Sequence, residues 1–288
     1  ILLCPSFDGS GAVTPSADDA VSALHAELAS LRAAGYRVSL AFRAADQRGL
    51  PLPAAEAGLV LASADSRAKV IAGLVRLAEG ADALDVAILE LPVEARADLV
   101  TFVDALGAAV RPLRTLGVFA PPSIAEPSDL PNGEAWDVRK LRVDRVRLMT
   151  LDYSCCGAPA GPTTDPGWMV DAARIARGKT SAALDVAYPL YGFDFFAGKA
   201  RAVSYLEARG LAATAGARLD RGPTHALTFS WSDPAGVPHV VWFDDAVSTT
   251  QALAAFRPDV LPADVGVVFY GLGAEDPALF PALAKAMR

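Results

Sequence analysis

A run of strand length at residues 82–92 carries carboxylates at both of its ends, and these side chains could act together on a substrate. Asp82 and Asp85 lie towards its start and Glu90 lies near its end, with apolar and β-branched residues between them. Carboxylates held close together can donate and accept protons in the same reaction. The function of the chain therefore depends on whether these acids form a catalytic set.

Strand and helix patterns alternate on both sides of this run. Apolar residues at helical spacing precede it at 67–79 and follow it at 94–110, which makes one β–α unit. The alternation recurs along the chain and predicts seven strands of one sheet. The predicted strands cover 1–7, 37–42, 84–89, 116–120, 143–151, 182–188 and 265–269.

The remaining segments are predicted from the same patterns. The Ala/Gly/Pro-rich segment 43–66 is predicted to be a loop. Residues 200–245 are predicted to form a small α+β insertion with strands at 227–232 and 240–243. Further helices are predicted at 17–34, 136–141, 169–176, 202–209, 246–256 and 277–287.

These elements predict an α/β protein with a (β/α)8 TIM barrel. No Gly-x-Gly-x-x-Gly follows the first strand, which argues against a dinucleotide-binding sheet. The Asp, Tyr and Trp residues of the loops follow strand ends, where barrel enzymes keep their chemistry. We expect the barrel to comprise 1–199 and 246–288, interrupted by the insertion at 200–245, with an eighth strand upstream of Ile1 to close it.

Composition narrows the functional classes. The net charge of −7 argues against nucleic acid as a partner, and no apolar run is long enough to span a bilayer. The three His and three Cys residues lack metal-ligand spacing, so neither a metal nor a cofactor is predicted. The adjacent pair Cys155 and Cys156 could be reduced or could form a vicinal disulfide.

Four segments in the same order carry a resemblance to a known family. They are 148–153 (Leu-Met-Thr-Leu-Asp-Tyr), 188–194 (Tyr-Pro-Leu-Tyr-Gly-Phe-Asp), 241–246 (Val-Trp-Phe-Asp-Asp-Ala) and 272–277 (Leu-Gly-Ala-Glu-Asp-Pro). They resemble motifs of glycoside hydrolase family 18, the chitinase-like enzymes, and especially its spore-cortex peptidoglycan hydrolases. The resemblance implies the barrel fold and an extracellular, periplasmic or cell-envelope location.

The family's catalytic strand reads Asp-x-x-Asp-x-Asp-x-Glu, and this chain departs from it. An ungapped register puts Asp82 and Asp85 on the first two acids, but Ala87 on the third and Leu89 on the catalytic Glu. The family mechanism needs the last two acids together, one as proton donor and one to orient the N-acetyl group of the substrate. Leu151 also replaces a Tyr that positions substrate in the family. We therefore predict a degenerate member that binds an N-acetylglucosamine-containing glycan, or a protein partner, without hydrolysis.

Two alternatives stay open. A one-residue bulge would bring Glu90 to the barrel mouth as general acid and give an active glycoside hydrolase of chitin or peptidoglycan type. A structural or scaffolding barrel with a filled mouth is the other alternative. Asp85 could line the pocket or cap its strand end, and the resemblance implies further ligand contacts from five residues. These are Asp152, Tyr153, Trp168, Tyr191 and Tyr270.

Overall fold

The apolar runs of the sequence form strands, and the segments with helical spacing between them form helices. The computed structural model describes residues 5–46, 48–88, 91–111, 113–122, 137–155, 157–256 and 265–286. The chain divides into two compact units. Unit 1 comprises Ile1–Leu148 and Ala176–Leu184, and unit 2 comprises Met149–Ile175 and Asp185–Arg288.

Unit 1 is a parallel sheet with helices after its strands. The parallel neighbours follow the order β1-β3-β4-β5-β6, and the short β2 pairs antiparallel with β1. The strands are β1 (Ser6–Phe7), β2 (Val13–Thr14), β3 (Ser39–Ala44), β4 (Ala83–Val86), β5 (Thr115–Ala120) and β6 (Arg145–Leu148). The helices are α1 (Asp18–Ala33), α2 (Ala54–Ala62), α3 (Ala64–Leu77) and α4 (Arg96–Val110), and a 3₁₀ turn (Val93–Ala95) precedes α4.

The central strands of unit 1 are buried on both faces. In β4, for example, Leu84, Asp85 and Val86 are consecutive and all fully buried. A sheet that is covered by helices on one side and by its own interior on the other requires this continuous burial. The near-continuous apolar runs that predicted the strands have this physical origin.

Two aspartates fix the amino ends of neighbouring strands in unit 1. Asp82, just before β4, accepts a hydrogen bond from the backbone N–H of Val38 at 2.8 Å. Asp144, just before β6, accepts one from the backbone N–H of Leu116, also at 2.8 Å. Each carboxylate satisfies a backbone donor at a strand start, which secures the register at this edge.

Unit 2 contains the last parallel strands and a second, antiparallel sheet. Helix α5 (Pro166–Arg177) and strand β7 (Ala183–Pro189) cross the boundary between the units, and β7 neighbours β13 (Val265–Tyr270). The second sheet has the order β10-β11-β12-β8-β9. Its strands are β8 (Gly192–Phe196), β9 (Lys199–Val203), β10 (Asp220–Arg221), β11 (Leu227–Ser232) and β12 (Pro238–Phe243). The remaining helices are α6 (Tyr205–Ala215), α7 (Ala246–Ala254) and α8 (Leu279–Ala286).

The second sheet has its own apolar core, formed with helix α6. Ala208 and Ala212 of the helix pack against Phe229, Val241 and Phe243 of the sheet. The small alanines let the helix approach the sheet closely, and the aromatic rings fill the space between the two layers. One helix on one face of the sheet thus buries its apolar side chains.

Three sequence predictions of local structure were wrong. Residues 54–62 form helix α2, although the Pro-rich composition predicted a loop. Pro53 stands before the first helical residue, where a proline is tolerated, and Ala57, Val60 and Leu61 supply a buried face. The short helix predicted at 136–141 is a turn in its described part, residues 137–141.

The third wrong prediction is the start of the helix at 202–209. Lys199–Val203 instead pairs antiparallel with β8, and the helix begins at Tyr205. The side chain of Ser204 accepts a hydrogen bond from the backbone N–H of Glu207, so the Ser-x-x-Glu spacing marked the true start. None of the described helices is long and apolar enough to cross a membrane.

Candidate functional site

A carboxylate and a phenol from different strand ends meet in unit 2. Asp152 follows β6 by four residues and Tyr191 follows β7 by two, and the Tyr191 hydroxyl donates to Oδ1 of Asp152 at 2.6 Å. Asp152 is exposed and Tyr191 is partly buried. Burial and then the hydrogen bond to Asp152 raise the pKa of Tyr191 far above its ordinary value, so this phenol stays a donor.

The backbone of Asp152 adopts a conformation that non-glycine residues rarely take, with φ at 60°. Such a conformation costs on the order of 1–3 kcal/mol and persists where the surrounding structure imposes it. Near Asp152, two threonine hydroxyls donate hydrogen bonds to backbone carbonyls. Thr150 donates from its hydroxyl to the carbonyl of Ala187 at 2.7 Å, and Thr164 donates to the carbonyl of Thr150 at 3.1 Å. These bonds hold the segment that aims the Asp152 carboxylate.

Two pairs of aromatic rings adjoin Asp152. Tyr153 follows it in the chain and lies 5.2 Å from Trp168, measured between ring centroids. Tyr270 lies 6.3 Å from Tyr191 in an edge-to-face arrangement. Tyr153 and Tyr270 are each 48% exposed, which leaves about half of each side chain in contact with solvent. Exposed aromatic faces beside a hydrogen-bonding carboxylate can hold a ring that is apolar on its faces and polar at its edges.

Glycine and backbone contacts bring Tyr270 to Tyr191. The backbone N–H of Leu190 donates to the carbonyl of Tyr270 at 2.8 Å, which joins the ends of β7 and β13. Gly271 follows with φ at 86°, and a Cβ at this position would lie 3.2 Å from the Tyr191 ring. A larger residue at 271 would therefore be strained and would push against Tyr191.

Asp85, in unit 1, has a different environment. Its side chain is 1% exposed and forms an ion pair with Arg147, whose side chain is 11% exposed, and Ser39 donates its hydroxyl to the same carboxylate. A Cβ on Gly117 would collide with both Asp85 and Arg147, so the absence of a side chain there makes room for the pair. Burial raises the pKa of Asp85 against the opposing effects of Arg147 and Ser39.

The remaining residues of the predicted acid strand are partly described. Ala87 follows β4, its backbone N–H continues the ladder to the carbonyl of Phe42 at 2.8 Å, and it is partly exposed. Because side chains alternate along a strand, Ala87 lies on the same side as Asp85 and Ile88 lies on the opposite side. Ile88 is only 3% exposed. Leu89 and Glu90 lie outside the described residues.

A further acid was not singled out from the sequence. Asp244 directly follows β12, and hydrogen bonding by Ser248 and Tyr188 lowers its pKa. Burial is the largest cause that raises the pKa of Asp244, to about 6. The neighbouring Asp245 caps helix α7 and pairs with both terminal nitrogens of Arg221, at 3.1 and 2.5 Å. The Asp-Asp pair of the 241–246 motif was the only sequence signal for this network.

Metal-ligating residues do not converge in the part of the chain that the structure describes: no group of three or more His, Cys, Asp or Glu side chains could hold an ion there. Cys155 is disulfide-bonded.

Comparison with known proteins shows which class has this fold. No family model and no curated protein matches the chain. Solved structures do, over nearly its full length, and they include chitinases and spore cortex-lytic enzymes. The chain thus has the (β/α)8 fold of the chitinase-like glycoside hydrolases of family 18, which confirms both the predicted resemblance and the predicted fold class.

Three of these structures illustrate the likeness. A chitinase from Chromobacterium violaceum ATCC 12472 superposes with a TM-score of 0.83 at 24% identity, over 99% of this chain and 89% of that one. A class V chitinase from Pseudomonas fluorescens Pf-5 has a TM-score of 0.83 at 17% identity, over 100% and 91% of the chains. The spore cortex-lytic enzyme SleL of Bacillus cereus has a TM-score of 0.82 at 21% identity. This chain is covered over 98% of its length but spans only 66% of SleL.

Proposed function

We propose that the protein binds an N-acetylglucosamine-containing glycan through Asp152, Tyr191 and the neighbouring aromatic rings, without hydrolysing it. The names of the structural neighbours, chitinases and a cortex-lytic enzyme, support a carbohydrate ligand. The exposed Asp152 carboxylate can accept hydrogen bonds from sugar hydroxyl and amide groups, and Tyr191 holds it in place. Tyr153, Trp168 and Tyr270 offer faces on which pyranose rings can stack.

One observation carries the proposed loss of hydrolysis. On the side of β4 where the family motif places its acids, Asp85 is enclosed with Arg147 and the next position is Ala87. A carboxylate paired with a buried guanidinium is not free to orient a substrate amide, and a methyl group can neither accept nor donate a proton. Hydrolysis by two carboxylates needs both groups facing the scissile bond. The described part of the strand supplies neither.

The test measures binding and turnover on the same chitin oligomers. We expect calorimetry to give a measurable Kd and chromatography to give no products. Asp152→Ala should weaken binding at least about tenfold, because a charged hydrogen-bond acceptor is worth roughly 1.5–3 kcal/mol. Tyr191→Phe should lower the affinity less, because it removes only the bond that orients Asp152. Asp171→Ala, at an exposed carboxylate on α5 that pairs with Arg174, is the matched control.

The two alternatives predict different results in this experiment. Turnover that is present in the wild type and lost in Glu90→Ala would replace the proposal with an active hydrolase. Absence of any glycan binding would favour a scaffolding barrel or a protein partner. Binding that survives in Asp152→Ala would move the site elsewhere.

The proposed ligand also implies a location. N-acetylglucosamine polymers of the chitin and peptidoglycan type lie outside the cytoplasm, so we propose an extracellular, periplasmic or cell-envelope protein. Fractionation of the producing cells, with detection of the chain in the envelope or medium, tests this.

A further inference from the structure

Two adjoining cavities open on unit 1 at the amino ends of its strands. The first, of about 530 Å³, lies where β4 and β5 begin, and the second, of about 570 Å³, lies beside the starts of β6 and β7. Arg111 lines the first cavity, and its Nη2 donates at 2.6 Å to the carbonyl of Arg142, which lines the second. Seven cationic side chains line the two cavities, and we call this surface the basic face. They are Arg32, Arg37, Arg111, Arg114, Arg139, Arg142 and Lys179.

Few carboxylates oppose these cations. Asp82 and Asp144 line the first cavity, and each uses one oxygen to accept a strand N–H. No carboxylate lines the second cavity among the described residues, although Asp137 pairs with Arg139 from beside it, at 2.8 Å. Among the described residues, three acids thus face six arginines on a chain whose net charge is −7. The local excess of positive charge runs against the charge of the whole molecule.

Three of the arginines have no acidic partner in the described parts of the chain. Arg32 and Arg111 pair weakly with Asp82 and Asp144, at 3.6 and 3.5 Å. Arg37, Arg114 and Arg142 form no ion pair there, and the side chains of Arg37 and Arg142 are exposed. Guanidinium groups gathered in this way repel one another, and a bound anion removes that repulsion.

The shape of the face indicates the kind of anion. Guanidinium groups bind phosphate oxygens two at a time, with geometry that a point charge lacks. Each cavity is large enough for an organic ligand rather than one small ion. Because the cavities adjoin through Arg111 and Arg142, a ligand with several anionic groups can occupy both. We propose that the basic face binds a linear polyphosphate chain, and not a nucleic acid, laid across the two cavities.

The probe is inorganic polyphosphate, with orthophosphate and duplex DNA as comparisons. We expect polyphosphate to bind at low salt and its affinity to fall steeply as salt rises, because binding releases counterions from the polymer. Arg37→Gln with Arg142→Gln should weaken binding about tenfold and reduce the slope of log Kd against log salt by about one per arginine removed. Both side chains are exposed and unpaired in the described structure, so the double variant should keep the wild-type unfolding midpoint.

The matched control is Lys199→Gln with Lys285→Gln. It changes the net charge equally, at exposed residues that line neither cavity, so its Kd for polyphosphate should stay within about twofold of wild type. The arginine variant should also bind chitin oligomers as the wild type does, which separates this site from the proposed glycan site.

Four results would overturn the proposal. They are absence of polyphosphate binding, equal losses in the control and the arginine variant, orthophosphate binding as tight as polyphosphate, and tighter binding of duplex DNA. Tighter binding of duplex DNA would identify a nucleic acid as the partner in place of polyphosphate.

Discussion

Asp85 and Arg147 form an ion pair that is almost wholly removed from water. Removing one partner of such a pair leaves an uncompensated buried charge, which costs about 3–5 kcal/mol. We therefore expect Arg147→Met to lower the free energy of unfolding by this amount at neutral pH, measured by urea denaturation. Adding Asp85→Asn to it should recover much of the loss, because the amide keeps the shape without the charge.

The control for this prediction is Arg174→Met. Arg174 pairs with Asp171 at 2.9 Å, but both side chains are more than half exposed, and such pairs contribute about 0–1 kcal/mol. If the two Arg→Met variants lost equal stability, the buried pair would not be the interaction that stabilises this part of unit 1.

Asp244 gives the protein a stability that depends on pH. Its folded pKa of about 6 lies above the ordinary value of 3.8, so between pH 4 and 6 the folded chain keeps a proton that the unfolded chain has lost. Stability should therefore fall as pH rises through this window, by up to about 3 kcal/mol for a shift of about two units. Asp244→Asn imitates the protonated acid, so the free energy of unfolding of this variant should lack the decrease that the wild type shows as pH rises.

The measurement is urea denaturation of the wild type and Asp244→Asn from pH 4 to pH 8. The difference in unfolding free energy should grow in favour of the variant between pH 4 and about 7, and then stay constant. A difference that is independent of pH would show that Asp244 is already ionised at pH 4 in the folded protein.

At the scale of single residues, the sequence indicated which polar and aromatic side chains follow strand ends, but not which side chains meet inside the sheet. Asp152 and Tyr191 were both predicted as ligand contacts, and the structure joins them by a hydrogen bond. Arg147 was not singled out, because only the pairing of β4, β5 and β6 brings it to Asp85, past Gly117. Nothing in the sequence around position 147 indicates that long-range partner.

Two glycines in helices offer a test of packing at the scale of elements. Gly73 lies in α3, and a Cβ there would stand 2.7 Å from Cβ of Val13 in β2. Helix propensity alone favours alanine by about 1 kcal/mol. Overpacking against a branched residue near its backbone costs about 1–3 kcal/mol. We therefore expect Gly73→Ala to lower the thermal midpoint, because the contact outweighs the propensity.

Gly210→Ala is the matched change. Gly210 lies in α6 and is exposed, and a Cβ added to it would meet no atom within 4 Å, so only propensity acts. Its thermal midpoint should rise, by the equivalent of about 0.5–1 kcal/mol. Equal shifts of the same sign in the two variants would mean that β2 yields to the added methyl group.

Elements were predictable wherever local signals and tertiary pairing agree. Each of the seven predicted barrel strands overlaps a strand in the part of it that the structure describes. Most of these strands are continuous apolar runs, which a doubly covered sheet requires. The segment 199–203 was missed because its alanines and basic residues favour a helix locally. Pairing with the aromatic strand β8 overrides that preference, as β-structure often does.

On the scale of the whole molecule, charge is distributed in a way that the sequence does not show. The basic face takes its arginines from segments that are far apart in the chain, between residues 32 and 142, and only Arg139 and Arg142 lie in the basic stretch at 138–147. Only the folding of α1, α4 and the strand starts into unit 1 gathers them. The net charge of −7, which argued against nucleic acid as a partner, describes the average surface and does not describe this face.

This distribution leads to different salt dependence for the two proposed ligands. Chitin oligomers are uncharged, so screening should leave their Kd within about twofold between about 20 and about 500 mM NaCl, roughly a fivefold change in Debye length. Polyphosphate binding should weaken by orders of magnitude over the same range, because each neutralised phosphate releases a counterion. Both titrations, made on the same wild-type protein by calorimetry, check this. A parallel fall in the two affinities would mean that one charged surface holds both ligands, and Asp152 would then not be the centre of a neutral glycan site.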